Sequence, residues 1–85
     1  MGMFTGAQLR MARSFLKWSA AELAEKSGVG LSTIQRMELD DGFPAARGGN
    51  IEAVYKTLVA AGVTFLPETD EGVGVRGKHT ARRGK

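Results

Sequence analysis

Ser19-Ala20-Ala21-Glu22-Leu23-Ala24-Glu25-Lys26-Ser27-Gly28-Val29-Gly30-Leu31-Ser32-Thr33-Ile34-Gln35-Arg36-Met37-Glu38 is the stretch on which the reading of this chain turns. It opens on a serine followed three residues later by a glutamate, the pattern of a capping box. The serine oxygen accepts from the amide of the third helical residue, and the glutamate accepts from the serine's own N–H. A short helix over 20–27 is therefore predicted, with Leu23 and Ala24 facing inward. Gly28 can take the left-handed conformation that ends a helix at low steric cost. Val29 then reads as an apolar plug, and a second short helix over 31–38 carries Ile34 and Met37 on its inner side. Two helices joined by so few residues, with glycine at the bend, cross steeply, so the second projects from the surface while the first braces it.

Upstream, Thr5 is a good N-cap, and 6–16 follows without proline or internal glycine. Leu9, Ala12 and Leu16 form one apolar stripe at helical spacing, with Arg10 and Lys17 off it. Downstream, 39–49 is rich in acids and glycine and carries a proline, so a loop is expected. Asn50 is the expected cap of a fourth helix over 51–61, with Ile51, Val54, Leu58 and Ala61 inward and Gly62 closing it. Val63 and Phe65, then Val73 and Val75, alternate with smaller or polar residues. Turn-forming residues at 67–72 lie between the two runs, which predicts a hairpin. Two strands alone are marginal in water. Phe65, Val63 and Val73 are expected to seek a partner in the helical body or in a second copy. The organisation expected is a helical domain over 1–62, a hairpin and possible dimer element over 63–76, and a flexible basic tail over 77–85. The fold class is mainly α, a bundle of four to five helices with a short C-terminal β-hairpin.

The chain of 85 residues is one domain's worth and carries a formal net charge of +3. A domain of this size buries only about 60% of its unfolded surface, so its stability is modest. With no cysteine, disulfides, thiolate catalysis and cysteine-based metal sites are excluded. His79 stands alone in the tail and reads as a solvated residue without metal partners. No cofactor is expected. The apolar runs fall far short of the roughly 20 residues a membrane span needs, no secretory leader is visible, and a cytoplasmic protein is expected. Charge is unevenly placed. Residues 76–85 hold Arg76, Lys78, Arg82, Arg83 and Lys85 and no acid, whereas acids balance bases over 1–46. Such a run suits a polyanion, because neutralising phosphates releases counterions, or it is a solubilising tail.

From Leu9-Arg10 through Ala12-Arg13, Lys17-Trp18-Ser19, Glu22-Leu23-Ala24, Gly28-Val29 and Thr33-Ile34 to Glu38, the chain resembles the phage-repressor and Cro-like (XRE-type) helix-turn-helix family of bacterial transcriptional regulators. Ala61-Gly62-Val63-Thr64-Phe65-Leu66-Pro67 is similar to a small bacterial variant with a C-terminal strand pair. The resemblance implies that the third helix enters the DNA major groove. Residues 31, 32, 35 and 36 share the face opposite Ile34 and Met37 by the 3.6-residue period. Arg36 could read guanine O6 and N7 or clamp a phosphate, Gln35 could reach adenine or a phosphate oxygen, and Leu31 could touch a thymine methyl. Ser32 lies near the helix start. Thr33 and the amides opening the second helix are candidate phosphate contacts, and Arg47 could reach the backbone or the adjacent minor groove. The family's pairing of a first-helix arginine with a glutamate ending the third implies an Arg13–Glu38 pair, structural in role. The chain departs from the family at Ala20, where a glutamine is common, and at Gly30, where a serine is. Asp40 and Asp41 add repulsion toward phosphate.

The expected function is thus a sequence-specific regulator, such as a repressor, that dimerises on a palindromic site in double-stranded DNA. The alternative is a protein-interaction module of the same fold, an antitoxin or antiactivator holding a toxin or activator through the hairpin or tail. Catalysis is disfavoured by the single histidine, the missing cysteine and a core too small to enclose a substrate.

Overall fold

The computed structural model describes residues 2–46 and 48–79. Arg47 and residues 80–85, and with them most of the basic tail, lie outside the described residues. Four helices and a hairpin follow in order: α1 Gly6–Leu16, α2 Ala20–Ser27, α3 Leu31–Glu38, α4 Asn50–Ala60, β1 Val63–Thr69 and β2 Gly72–Gly77. No helix among the described residues is long and apolar enough to cross a membrane.

The caps explain where the first two helices begin. Thr5 accepts from the amide of Gln8 at 3.1 Å, and Gln8 Oε1 accepts from the amide of Thr5 at 2.9 Å, a full capping box whose glutamine half the sequence reading missed. Phe4 and Leu9, before the cap and in the first turn, are the two positions a hydrophobic staple joins, and both are buried. Ser19 and Glu22 form the second box as expected. Gly28 ends α2 at φ 75°. Gly30 caps α3 without a side-chain bond.

The fourth helix starts one residue earlier than the sequence suggested. Gly49 is its cap and Asn50 its first residue, with no side-chain capping bond. The cause lies in the preceding backbone: Gly48 takes φ 59°, and the Gly49 carbonyl already accepts from Ala53 at 2.8 Å. The loop before it is irregular, as expected, but it serves α1. The Gly42 carbonyl accepts from the Gly6 amide at 2.8 Å, satisfying one of the donors that every helix start leaves open.

The hairpin also differs from expectation. Pro67, Glu68 and Thr69 belong to β1, and the connection is the two residues Asp70 and Glu71. The register steps from Leu66↔Gly74 to Thr69↔Gly72, so Pro67 and Glu68 together oppose Val73 in a β-bulge. Proline has no N–H to give a ladder, and a bulge is one of the few places in a strand that tolerates it.

The core consists of Phe4, Leu9, Ala12, Leu23, Val29, Ile34, Met37, Val54, Leu58 and Val63, all buried. The hairpin finds its partner in this body. Phe65 is not left exposed: its ring stacks between Phe4, at 5.3 Å between centroids, and Tyr55, at 5.6 Å. Val63 is fully inside. Gln8 Nε2 donates to the carbonyls of Leu66 (2.9 Å) and Gly74 (2.8 Å), clasping both strands.

Candidate nucleic-acid interface

The surface of interest is the outer side of α3. Ile34 and Met37 are buried, which fixes the helix's rotation about its axis, and Leu31, Ser32, Gln35 and Arg36 all emerge on the exposed side. The four residues that the 3.6-residue period grouped on one face are thus brought together, and Leu31 is 40% exposed. Thr33 stands at the edge of this face, half-buried. With Arg36, Met37, Ala45, Ala46 and Asn50 it lines a mainly polar cleft of about 210 Å³. Asn50, which the sequence reading took as a cap, therefore belongs beside Thr33 and Arg36. No local pattern pointed to this, because the approach of α4 to α3 is tertiary. Arg47 lies outside the described residues.

The orientation of α3 is locked by arginines of α1. Arg13 holds Glu38 in a two-pronged pair, Nε to Oε2 at 2.6 Å and NH2 to Oε1 at 2.8 Å, while its NH1 donates to the Trp18 carbonyl at 2.9 Å. One guanidinium thus joins the end of α3, the body of α1 and the turn into α2. The side chains are 23% and 11% exposed. The Arg13 guanidinium is held above its ordinary range, first by its hydrogen bond to Glu38, with coulombic attraction adding and burial opposing. Arg10 acts in parallel, donating to the Glu38 carbonyl and pairing with Asp41. That pairing offsets the Asp41 charge beside the exposed face. Among the described residues no carboxylate pairs with Arg36. Its fork is open to a planar acceptor pair or a phosphate.

Among the described residues no cluster of histidine, cysteine and carboxylate side chains could hold a metal ion. Comparison with protein-family models, curated proteins and solved structures finds nothing that matches the chain.

Proposed function

We propose that this protein is a sequence-specific DNA-binding transcriptional regulator of the helix-turn-helix type, with α3 as the element that enters the major groove. The observation that carries the reading is the exposed set Leu31, Ser32, Gln35 and Arg36 on a short helix whose opposite side is buried and whose end is clamped by Arg13. A major groove about 12 Å wide admits such a helix, and arginine and glutamine are the side chains whose paired donors and acceptors match guanine and adenine edges. Thr33 and Asn50 contact the flanking backbone, and the Arg47 cation in the sequence before α4 is a further candidate for it. One eight-residue helix reads too few bases for tight selection, so the protein acts as a dimer on two half-sites about one helical turn apart. The work is that of a cytoplasmic protein.

Selection of bound duplexes from a random pool tests this directly. Enrichment of a palindromic motif is expected, and a pool that stays random overturns the reading.

A second reading rests on a different surface. Met3, Phe43, Leu66, Pro67 and Val73 line a mainly apolar groove of about 360 Å³ between the N-terminal segment, the 39–49 loop and the hairpin. Met3 and Phe43 are about half exposed there. A chain that holds another protein, as antitoxins and antiactivators do, would use such a groove, alone or beside DNA binding. Failure to enrich any duplex would favour it.

A further inference from the structure

Residues 1–9, 37–46 and 63–75 contain no lysine or arginine, and the last two stretches hold six of the chain's nine acids. The fold draws parts of all three around the groove of about 360 Å³ that Met3, Phe43, Leu66, Pro67 and Val73 line. Glu68 stands on its wall, and no cation does. A neighbouring hollow shares Leu66, Pro67 and Val73 with it and is lined by Glu71, again without a cation. Arg10 pairs with Asp41 and Arg13 with Glu38, but Glu68 and Glu71 have no ion-pair partner among the described residues. The walls are fixed. The Gly6 amide donates to the Gly42 carbonyl beside Phe43 at 2.8 Å, and Gln8 holds the Leu66 carbonyl at 2.9 Å. Phe43 rests on Gly2 so closely that a Cβ there would lie 2.6 Å from its ring. A preformed groove spares an incoming chain the cost of ordering it.

Charge separates the occupants this groove could take. Duplex DNA is repelled by the carboxylates. A second copy docking the patch on itself forms a two-fold interface in which the same surface serves both sides, so unpaired Glu68 carboxylates would crowd an apolar contact. Residues 80–85 are basic but include no apolar side chain larger than alanine, too little to fill the groove. We propose that the groove takes a segment of another protein that inserts a large apolar side chain between Met3, Phe43 and Val73 and sets a lysine or arginine against Glu68. The proposal rests on the protein-holding reading above and names the chemistry of what is held. A volume of about 360 Å³ lies at the low end of the roughly 300–1,000 Å³ of pockets that enclose small ligands, which suits one or two side chains rather than a whole helix. The apolar anchor supplies the affinity. The cation selects among anchors, since a charge pair at a rim adds specificity more than strength.

The test pans random phage-displayed peptides against the full chain and makes the recovered sequences as synthetic peptides for amide-shift titrations. The expected sequences carry an aromatic residue or leucine with lysine or arginine within a few positions, and they shift the amides of Met3, Phe43 and Glu68. Glu68→Gln is expected to weaken such a peptide by about 2- to 5-fold, the range of an exposed ion pair, and to leave a peptide without cations unaffected. Phe43→Ser should weaken both kinds about tenfold or more, with thermal unfolding of each variant followed alongside. Groove-bound peptides whose recovery and affinity ignore Glu68 overturn the charge selection and leave the protein-holding reading standing. Recovery of no peptide, or of peptides that shift only amides elsewhere, overturns both. Shifts of the same amides on raising the protein concentration alone assign the groove to a second copy and overturn the proposal.

Discussion

The side-chain Nε2 of Gln8 donates to the backbone carbonyl of Gly74 at 2.8 Å, joining the first turn of α1 to the last strand. The same nitrogen reaches Leu66, and the same side chain completes the Thr5 cap. One buried amide therefore starts a helix and seats a hairpin that would be marginal by itself.

Gln8→Ala removes three hydrogen bonds and leaves two strand carbonyls and the Thr5 amide without partners. At about 0.5–1.5 kcal/mol for each bond, the loss is roughly 2–3 kcal/mol. Amide exchange should show β1 and β2 losing protection before the core of α1, since the strands lose their anchor while the apolar stripe stays. Uniform loss across all elements would mean that Gln8 does not specifically seat the hairpin.

Glu38→Ala strips Arg13 of a two-pronged partner in a site where both side chains are mostly shielded. Removing one member of a fully buried pair costs about 3–5 kcal/mol, and the partial exposure of Arg13 brings the expected loss to about 2 kcal/mol. Arg13→Met combined with Glu38→Leu should cost less than the sum of the single changes, because neither leaves a stranded charge. Denaturant titration of the four proteins checks this. The raised Arg13 pKa has a definite sign: its contribution is present throughout the range below arginine's ordinary titration and is lost only above it.

Gly6→Ala is expected to be strongly destabilising, although alanine is the better helix former. An added Cβ would meet the carbonyl oxygens of Asp40 and Met37, the latter at 2.6 Å, and both are backbone atoms that cannot swing aside. The cost of forcing them apart is about 1–3 kcal/mol. Thermal unfolding should register a fall of several degrees, and an unchanged or raised midpoint would mean that the end of α3 does not press on α1 this closely.

Gly30→Ser should have the opposite sign. Gly30 has ordinary cap geometry (φ −61°, ψ 147°), and a Cβ there comes no nearer than 4.0 Å to the Thr33 hydroxyl. A serine would supply the missing cap to α3 and reduce the freedom of the unfolded chain, together worth about 0.5–1 kcal/mol. The melting temperature should rise by a few degrees.

Arg36→Ala should leave the melting temperature within a degree or two, because the side chain is exposed and no carboxylate pairs with it among the described residues. On the selected duplex it should weaken binding by about 1–3 kcal/mol, roughly 5- to 150-fold, and relax selection at one position of each half-site. An affinity unchanged by this variant would remove Arg36 from the reading face.

The sequence by itself determined the helices wherever the instructions were local. The two N-caps, the capping box at Ser19, the αL glycine at position 28 and the inner faces of α1, α2 and α3 follow from contacts within four residues of each other, and the structure shows them where they were expected. The outer face of α3 was equally legible, because burying Ile34 and Met37 leaves Leu31, Ser32, Gln35 and Arg36 no other side to occupy. Only the tertiary structure decided the rest. No local pattern singles out Gln8, whose side chain donates to two strands from the far end of the chain. Phe65 is covered by Phe4, far from it in the chain, and by Tyr55 of the preceding helix. Pro67 joined a strand because a bulge spared it a hydrogen bond. Asn50 met Thr33 across a cleft, and Phe15 met Gly77 and His79 at the end of the hairpin. In each case the deciding partner came from a separate element, and no local pattern records which elements will touch.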